Sequence, residues 1–216
     1  MKTRLIIIGL LVTSIAFGQV INIQGGTSFS KLNWQISDMN VNPYNKPLIG
    51  YSLFAGIDYF DKKFLNVSSN FGLIRKGGKE EINVIFENPE PNGSVFKKTS
   101  TLDYFSINTL FDFKYLINDK ILPFISFGPR FEYLISYSND FNILKTSNHL
   151  NRSSFGIILG GGLKYQFSNI LIGIRSDYYV NFSNIAKWSN TSNQVKVSDK
   201  TFTTSLSIGY KLENKK

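Results

Sequence analysis

Eight stretches of this chain alternate apolar residues with small or polar ones, and a period of two is the signature of β-strands. A helical period is hard to find, so the pattern predicts an all-β domain. The predicted strands lie near residues 20–34, 50–60, 64–77, 101–116, 121–137, 153–167, 170–182 and 201–212.

The connections between these strands alternate in length, which constrains how the strands can be arranged. Three are turn-rich and of hairpin length, at 61–63, 117–120 and 168–169. Four are long and rich in Pro, Asn and Ser, at 35–49, 78–100, 138–152 and 183–200. Outer-membrane barrels have short periplasmic turns and long extracellular loops. The sequence therefore predicts an eight-stranded antiparallel up-and-down transmembrane β-barrel.

The N-terminus has the features of a signal peptide. Lys2 and Arg4 precede an apolar run over 5–16, and Ala16-Phe17-Gly18 supplies small residues for cleavage. We expect residues 1–18 to be a cleaved signal peptide and residues 19–216 to form one barrel domain in the outer membrane. Cys is absent, so disulfides are excluded, and export argues against a nucleic-acid partner despite the net charge of +9.

The two faces of the predicted strands differ in side-chain volume. One face carries many large apolar residues such as Phe71, Phe105 and Phe131, whereas the other is rich in Gly, Ser and Asn. Because an eight-stranded barrel is only just wide enough for side chains to fill, the large face is predicted to point outward to lipid. A soluble periplasmic lipocalin-like carrier with an apolar cavity remains the alternative.

Two further features refine the strand assignment. Aromatic residues lie toward strand ends, with Trp34 and Trp188 at the loop side, as in the aromatic girdles of membrane barrels. Pro129 falls in the middle of the fifth predicted strand. Since proline cannot donate to a ladder, it predicts a bulge there.

Eight charged residues fall on the small-residue face, four of each sign. They are Asp58, Asp112, Lys114, Arg130, Glu132, Lys164, Arg175 and Asp177. Charges in a narrow lumen must be paired. We expect Asp112 and Lys114 to lie beside Arg130 and Glu132. We also expect Arg175 and Asp177 to reach Lys164. Such a network predicts a plugged lumen and argues against a general porin.

Catalytic and metal chemistry have little support in the sequence. Asp112, Glu132 and Asp177 are candidates for acid–base work, and a membrane-embedded hydrolase or acyltransferase remains a second alternative. A salt-bridged plug explains the same carboxylates without catalysis. His149 is the only histidine and no cysteine is present, so no metal and no cofactor are expected.

The outer end of the third predicted strand is basic. Arg75, Lys76 and Lys79 are predicted to form a rim that meets anionic surface glycolipid. Beyond it, Ile82, Val84, Ile85 and Phe86 would extend the strands above the membrane. Since binding is usually placed on loops of a rigid scaffold, the long connections are the expected contact sites.

Several ordered stretches make the chain resemble the PorT-like outer-membrane β-barrel domain family of Gram-negative bacteria. They are Gly25-Gly26-Thr27-Ser28-Phe29-Ser30, Phe71-Gly72-Leu73-Ile74-Arg75-Lys76-Gly77, Phe113-Lys114-Tyr115, Phe127-Gly128-Pro129-Arg130, Tyr133-Leu134, Phe155-Gly156, Gly160-Gly161-Gly162 and Leu206-Ser207-Ile208-Gly209-Tyr210. The resemblance implies an eight-stranded barrel linked to gliding motility and type IX secretion, with no catalytic residues. One departure is that Tyr210 is followed by six more residues, where such barrels often end on an aromatic.

Together these features predict a non-enzymatic structural or interaction protein that acts through its extracellular loops. Its expected partners are outer-membrane lipid or surface glycolipid, and other envelope proteins. A role as an accessory to envelope or type IX secretion machinery follows from the resemblance alone.

Overall fold

The computed structural model describes residues 20–36, 44, 46–83, 95–118, 120–138, 141, 149–189 and 194–212. No helix within these residues is long and apolar enough to cross a membrane. The predicted signal peptide, residues 1–18, lies outside the described residues. The described residues form nine strands: β1 (Val20–Ile36), β2 (Lys46–Asp61), β3 (Leu65–Asn83), β4 (Val95–Lys114), β5 (Ile121–Tyr137), β6 (Ser153–Phe167), β7 (Ile170–Asn181), β8 (Ala186–Ser189) and β9 (Gln194–Lys211).

Eight of these strands form a closed antiparallel ring. β1 to β7 and then β9 follow one another around it, and β9 pairs with β1. The closing ladder runs from Val20 opposite Lys211 to Ile36 opposite Val195. The short β8 lies outside the ring, beside the first residues of β9. The predicted eight-stranded up-and-down barrel is confirmed. Closure of the ring pairs the backbone N–H and C=O groups of every strand, which lipid cannot hydrogen-bond.

The strands reach further on the long-loop side than the apolar pattern indicated. β3 continues to Asn83 and β4 begins at Val95, so residues 78–83 and 95–100 of the predicted 78–100 loop are paired strand. There Glu80 lies opposite Lys98 and Glu81 opposite Lys97, and such opposite-charge pairs stabilise a ladder without apolar residues. The predicted extension at Ile82 lies in β3, while 84–86 lie outside the described residues.

The outside of the ring is apolar and the inside is polar. Outward residues such as Ile23, Ile125 and Ile208 are between 64% and 68% exposed. Inward residues such as Ser106 and Asn66 are buried. This arrangement contradicts the lipocalin-like alternative, which requires the apolar face inside. An apolar exterior of this kind is stable in a bilayer, with the short turns on the periplasmic side.

Pro129 does not shift the register of its strand. The β4–β5 register is the same at Asn108 opposite Arg130 as at Phe111 opposite Phe127, and β5 pairs with β6 without interruption. The predicted bulge at Pro129 is therefore wrong. The irregularity between β4 and β5 lies instead at Asp103 and Tyr104, near the extracellular end.

Candidate functional site: a lumen sealed by charge and by an apolar cap

Four buried charges near the extracellular end form one ion-pair network, here called the loop-side cluster: Lys76, Arg130, Glu132 and Asp199. Lys76 Nζ lies 2.7 Å from Glu132 Oε2 and 3.3 Å from Asp199 Oδ2. Arg130 pairs with the same Glu132 oxygen. Thr201 Oγ1 donates to Asp199 Oδ2 at 2.6 Å. Two cations thus balance two anions, which is the condition for keeping such groups in a low-dielectric interior.

Two tyrosine rings line the loop-side cluster. Lys76 Nζ lies 5.3 Å from the ring centre of Tyr104 and 5.2 Å from that of Tyr179. Arg130 Cζ lies 4.8 Å from the Tyr179 ring, and its guanidinium also donates to Asn181 Oδ1. Both rings are buried. Their negative faces stabilise the two cations in place of water.

A second set of charges lies nearer the periplasmic turns and is here called the turn-side cluster: Asp58, Asp112, Lys164, Arg175 and Asp177. Lys164 Nζ lies 3.1 Å from Asp112 Oδ2 and 3.9 Å from Asp58 Oδ2. The Asn66 side-chain amide donates to Asp58 Oδ2 at 3.1 Å and to Asp112 Oδ2 at 3.4 Å.

The remaining two members of the turn-side cluster pair with each other. Arg175 donates to both Asp177 oxygens, at 2.8 Å and 2.9 Å, and also to Ser126 Oγ at 2.9 Å. Arg175 Cζ and Lys164 Nζ both lie over the Phe124 ring, 5.5 Å and 5.0 Å from its centre. Among the described residues Asp177 pairs with Arg175 and makes no ion pair with Lys164, so that part of the predicted pairing is wrong. The cavity beside them has about 20 Å³ of free space, room for about one water.

The structure changes the pairing that the sequence predicted for Lys114. This residue contacts Asp61 at the periplasmic end and is apart from Arg130. The reason is the register, since Arg130 lies opposite Asn108, four residues before Asp112 on β4. Asp112 is thereby free to pair with a lysine of β6 instead. The prediction that strands four and five hold one joint charge cluster is therefore wrong.

Four buried residues of the loop-side cluster and its lining were absent from the predicted lumen set: Lys76, Asp199, Tyr104 and Tyr179. A signal for them exists in the sequence. Lys76 has the same parity in β3 as the inward Asn70, and the two tyrosines likewise have the inward parity of their strands. Asp199 has that parity once β9 is extended to Gln194. The prediction that Lys76 faces glycolipid is wrong, because its side chain is fully buried in the lumen.

An apolar cap closes the extracellular mouth above the loop-side cluster. Residues of three connections enter it, namely Tyr44, Phe141, Ile185 and Ala186 of β8. Ser100 Oγ donates to the Tyr44 hydroxyl at 2.7 Å, which ties this residue to β4. Inward apolar residues of the ring belong to the same buried cluster, at the level of the ion pairs and above it: Leu32, Leu102, Leu134 and Val197.

Both tryptophans belong to this mouth. The Trp34 ring centre lies 6.2 Å from that of Tyr44 and 6.3 Å from that of Trp188, and His149 stacks on Trp188 at 5.8 Å. Trp34 and Trp188 pack against the cap. Their predicted place in a lipid-facing girdle is therefore wrong, because Trp34 has the inward parity of β1 and β8 folds over the mouth.

Arg75 and Lys79, the other two residues of the predicted basic rim, lie on the outer face of the barrel rather than in its lumen. Arg75 makes a two-point ion pair with Asp103, at 2.7 Å and 2.9 Å, and lies 5.1 Å from the Tyr51 ring centre. Its charge is thus already matched within the protein. Lys79 lies half-buried opposite Lys46 on β2.

The chemistry available in the lumen is that of paired charges. Each carboxylate considered for acid–base work, Asp112, Glu132 and Asp177, contacts a lysine or arginine. Within the described residues, no group of three or more His, Cys, Asp or Glu side chains is placed to hold a metal ion.

Comparison with known proteins gives a fold and no closer relative. No protein-family model matches the chain, and no curated protein matches it. Among solved structures, OprG of Pseudomonas aeruginosa aligns with a TM-score of 0.52 and 12% identity, over 91% of this chain and 97% of that one. Neisserial surface protein A aligns with a TM-score of 0.47 and 13% identity, over 89% and 97%. Ail of Yersinia pestis aligns with a TM-score of 0.40 and 15% identity, over 89% and 99%.

This chain has the fold of an outer-membrane β-barrel protein. The alignment with OprG supports that statement at the level of fold, because it covers nearly all of both chains. The apolar exterior and the closed ring of the barrel are independent observations and agree with an outer-membrane location.

Proposed function

We propose that the protein is a sealed outer-membrane barrel that acts as a structural or interaction protein through its extracellular side. The observation that carries this proposal is the double closure of the lumen. The apolar cap covers the mouth, and the loop-side cluster fills the ring beneath it. A solute passing through would have to displace both, and opening a buried ion-pair network is costly.

The extracellular β3–β4 hairpin is the element that supports an interaction role. β3 continues past Lys79, where it pairs with the start of β2, and β4 first pairs with β5 at Leu102. The hairpin therefore projects beyond both neighbours. Projecting strand edges are templates for a partner's extended segment.

We further propose that the barrel is not an enzyme. Asp112, Glu132 and Asp177 are held by cations, so each carboxylate already has a structural role. Membership of the PorT-like family, and with it an accessory role in envelope or type IX secretion machinery, is a proposal supported by the ordered sequence motifs alone.

Two measurements test this function. Purified barrel in a planar bilayer is expected to show no stable open channel, and a steady ohmic conductance would overturn the sealed-lumen proposal. A photoreactive residue at the exposed Thr99 of the hairpin is expected to give a discrete protein adduct in intact cells. The control is a photoreactive residue that replaces Lys63, which is exposed on a periplasmic turn. An adduct pattern identical at both positions would argue against docking through the hairpin.

A further inference from the structure

Four lysines lie on the outer face of β1, β8 and β9, above the apolar exterior. This lysine face consists of Lys31, Lys187, Lys196 and Lys200. Lys31 lies directly opposite Lys200 in the β1–β9 ladder, and Lys187 lies directly opposite Lys196 in the β8–β9 ladder. Like charges placed directly opposite each other destabilise a sheet. The fold thus brings the four cations together at a cost to its own stability.

Among the residues that the structure describes, no carboxylate pairs with these lysines. Within the described residues, none of the four takes part in an ion pair. The acidic residue next to Lys200, Asp199, points inward and is held by Lys76. The β3–β4 hairpin shows the contrast, because there Glu80 faces Lys98 across the ladder. The lysine face therefore carries charge that no described carboxylate balances.

The height of this face places it at the edge of the bilayer. Below Lys31 and Lys200, the next outward pair is Phe29 and Phe202, whose ring centres are 6.5 Å apart. Further down, the outward residues include Ile23 opposite Ile208. Two residues along a strand correspond to about 7 Å, so the first lysine pair stands just above the apolar exterior.

We infer that the lysine face binds the phosphate groups of a phosphorylated glycolipid in the outer leaflet. The phosphates of such a lipid lie at the level where the apolar exterior ends, and its sugars extend past Lys196. Lysine acts as a compact point charge toward phosphate, and basic residues near an anionic membrane surface strengthen binding to it. The inference rests on the membrane placement of the barrel and is independent of docking through the hairpin.

The binding test uses a defined lipid and a matched control. The probe is a diphosphorylated glucosamine-disaccharide lipid, offered to the barrel in phosphatidylcholine nanodiscs. The test variant replaces all four residues of the lysine face by glutamine. The control variant makes the same four-charge change on the periplasmic side, at Lys62, Lys63, Lys120 and Lys211. Heat-modifiable migration on a gel reports folding of each variant.

The test variant is expected to lose affinity for this lipid by about tenfold or more, and the control variant to stay within about twofold of the unmodified protein. Removing both phosphates from the lipid should lower its affinity to the level of the test variant. Equal affinity of test variant and unmodified protein would overturn the inference, as would an equal loss in the control. Efficient competition by a soluble sulfated polysaccharide would overturn the assignment to a lipid.

A stability measurement decides the question even if the fourfold variant fails to fold. Lys200→Gln alone removes one charge from an opposed pair. In pure phosphatidylcholine it is expected to raise the urea midpoint of unfolding, because repulsion from Lys31 is relieved. In vesicles that contain the diphosphorylated lipid the same variant is expected to lower it. The same sign in both lipids would contradict phosphate binding at this pair.

Discussion

Lys76 and Glu132 form an ion pair inside the barrel, with 2.7 Å between Nζ and Oε2, and both residues are 0% exposed. They come from β3 and β5, which are separated in the ring by β4. The pair therefore spans the inner face of β4 rather than following a ladder. Since each member has a second partner of opposite charge, the four residues of the loop-side cluster stabilise or destabilise one another as a unit.

Glu132→Gln is expected to lower the free energy of unfolding by about 3–5 kcal/mol, because it leaves Lys76 and Arg130 buried with a single anion. Lys76→Met/Glu132→Gln restores the charge balance, so it should cost less than the sum of the two single changes. Urea titration in vesicles measures these values. As a control, Asp103→Asn breaks the partly exposed pair with Arg75 and should cost about 1 kcal/mol or less. Equal losses for Glu132→Gln and Asp103→Asn would contradict the buried network.

The barrel and its orientation could be predicted from the sequence because they depend on local quantities. Parity places Phe71 and Phe105 on one face and Asn66 and Ser106 on the other, and side-chain volume decides which face fits inside eight strands. Neither step requires knowing which residue lies opposite which. The burial of these residues follows the predicted parity.

Partner identity could not be predicted in the same way because it depends on register and on strand ends. The sequence places Asp112 beside Arg130. In the β4–β5 register Arg130 lies opposite Asn108 instead, and Asp112 pairs with Lys164 on β6.

Lys76 lies within the predicted third strand with inward parity, but its position beside the basic Arg75 and Lys79 favours the rim over the lumen. Asp199 escapes prediction because the apolar pattern of the last strand begins at 201, whereas β9 begins at Gln194. Between these two positions inward parity continues without apolar residues on the outer face to reveal it.

A glycine next to a buried ion pair gives a prediction about packing. A Cβ at Gly160 would collide with Asp177 Oδ1, which pairs with Arg175, and would come within 2.7 Å of the Ser176 carbonyl oxygen. We expect Gly160→Ala to lower the free energy of unfolding by about 1–3 kcal/mol, as overpacking does.

Gly25 provides the matched control for this substitution. A Cβ there would meet only Leu53 Cδ2, at the ordinary distance of 3.5 Å. Gly25→Ala is therefore expected to leave stability within about 0.5 kcal/mol or to raise it slightly, since it reduces the freedom of the unfolded chain. Urea titration of both variants under one lipid composition is the measurement. A loss at Gly25 as large as at Gly160 would show that the ion pair is not the cause.

The two tryptophans of the chain report on the extracellular cap. Because Trp34 and Trp188 pack in the mouth, lipids brominated in their acyl chains should leave tryptophan fluorescence almost unquenched. A reporter for the opposite case is Phe71→Trp in a background with both natural tryptophans replaced by phenylalanine, since Phe71 faces outward in the apolar exterior and is 54% exposed. Its fluorescence should be strongly quenched by the same lipids. Strong quenching of the natural pair would instead place them in a lipid-facing girdle and contradict the cap.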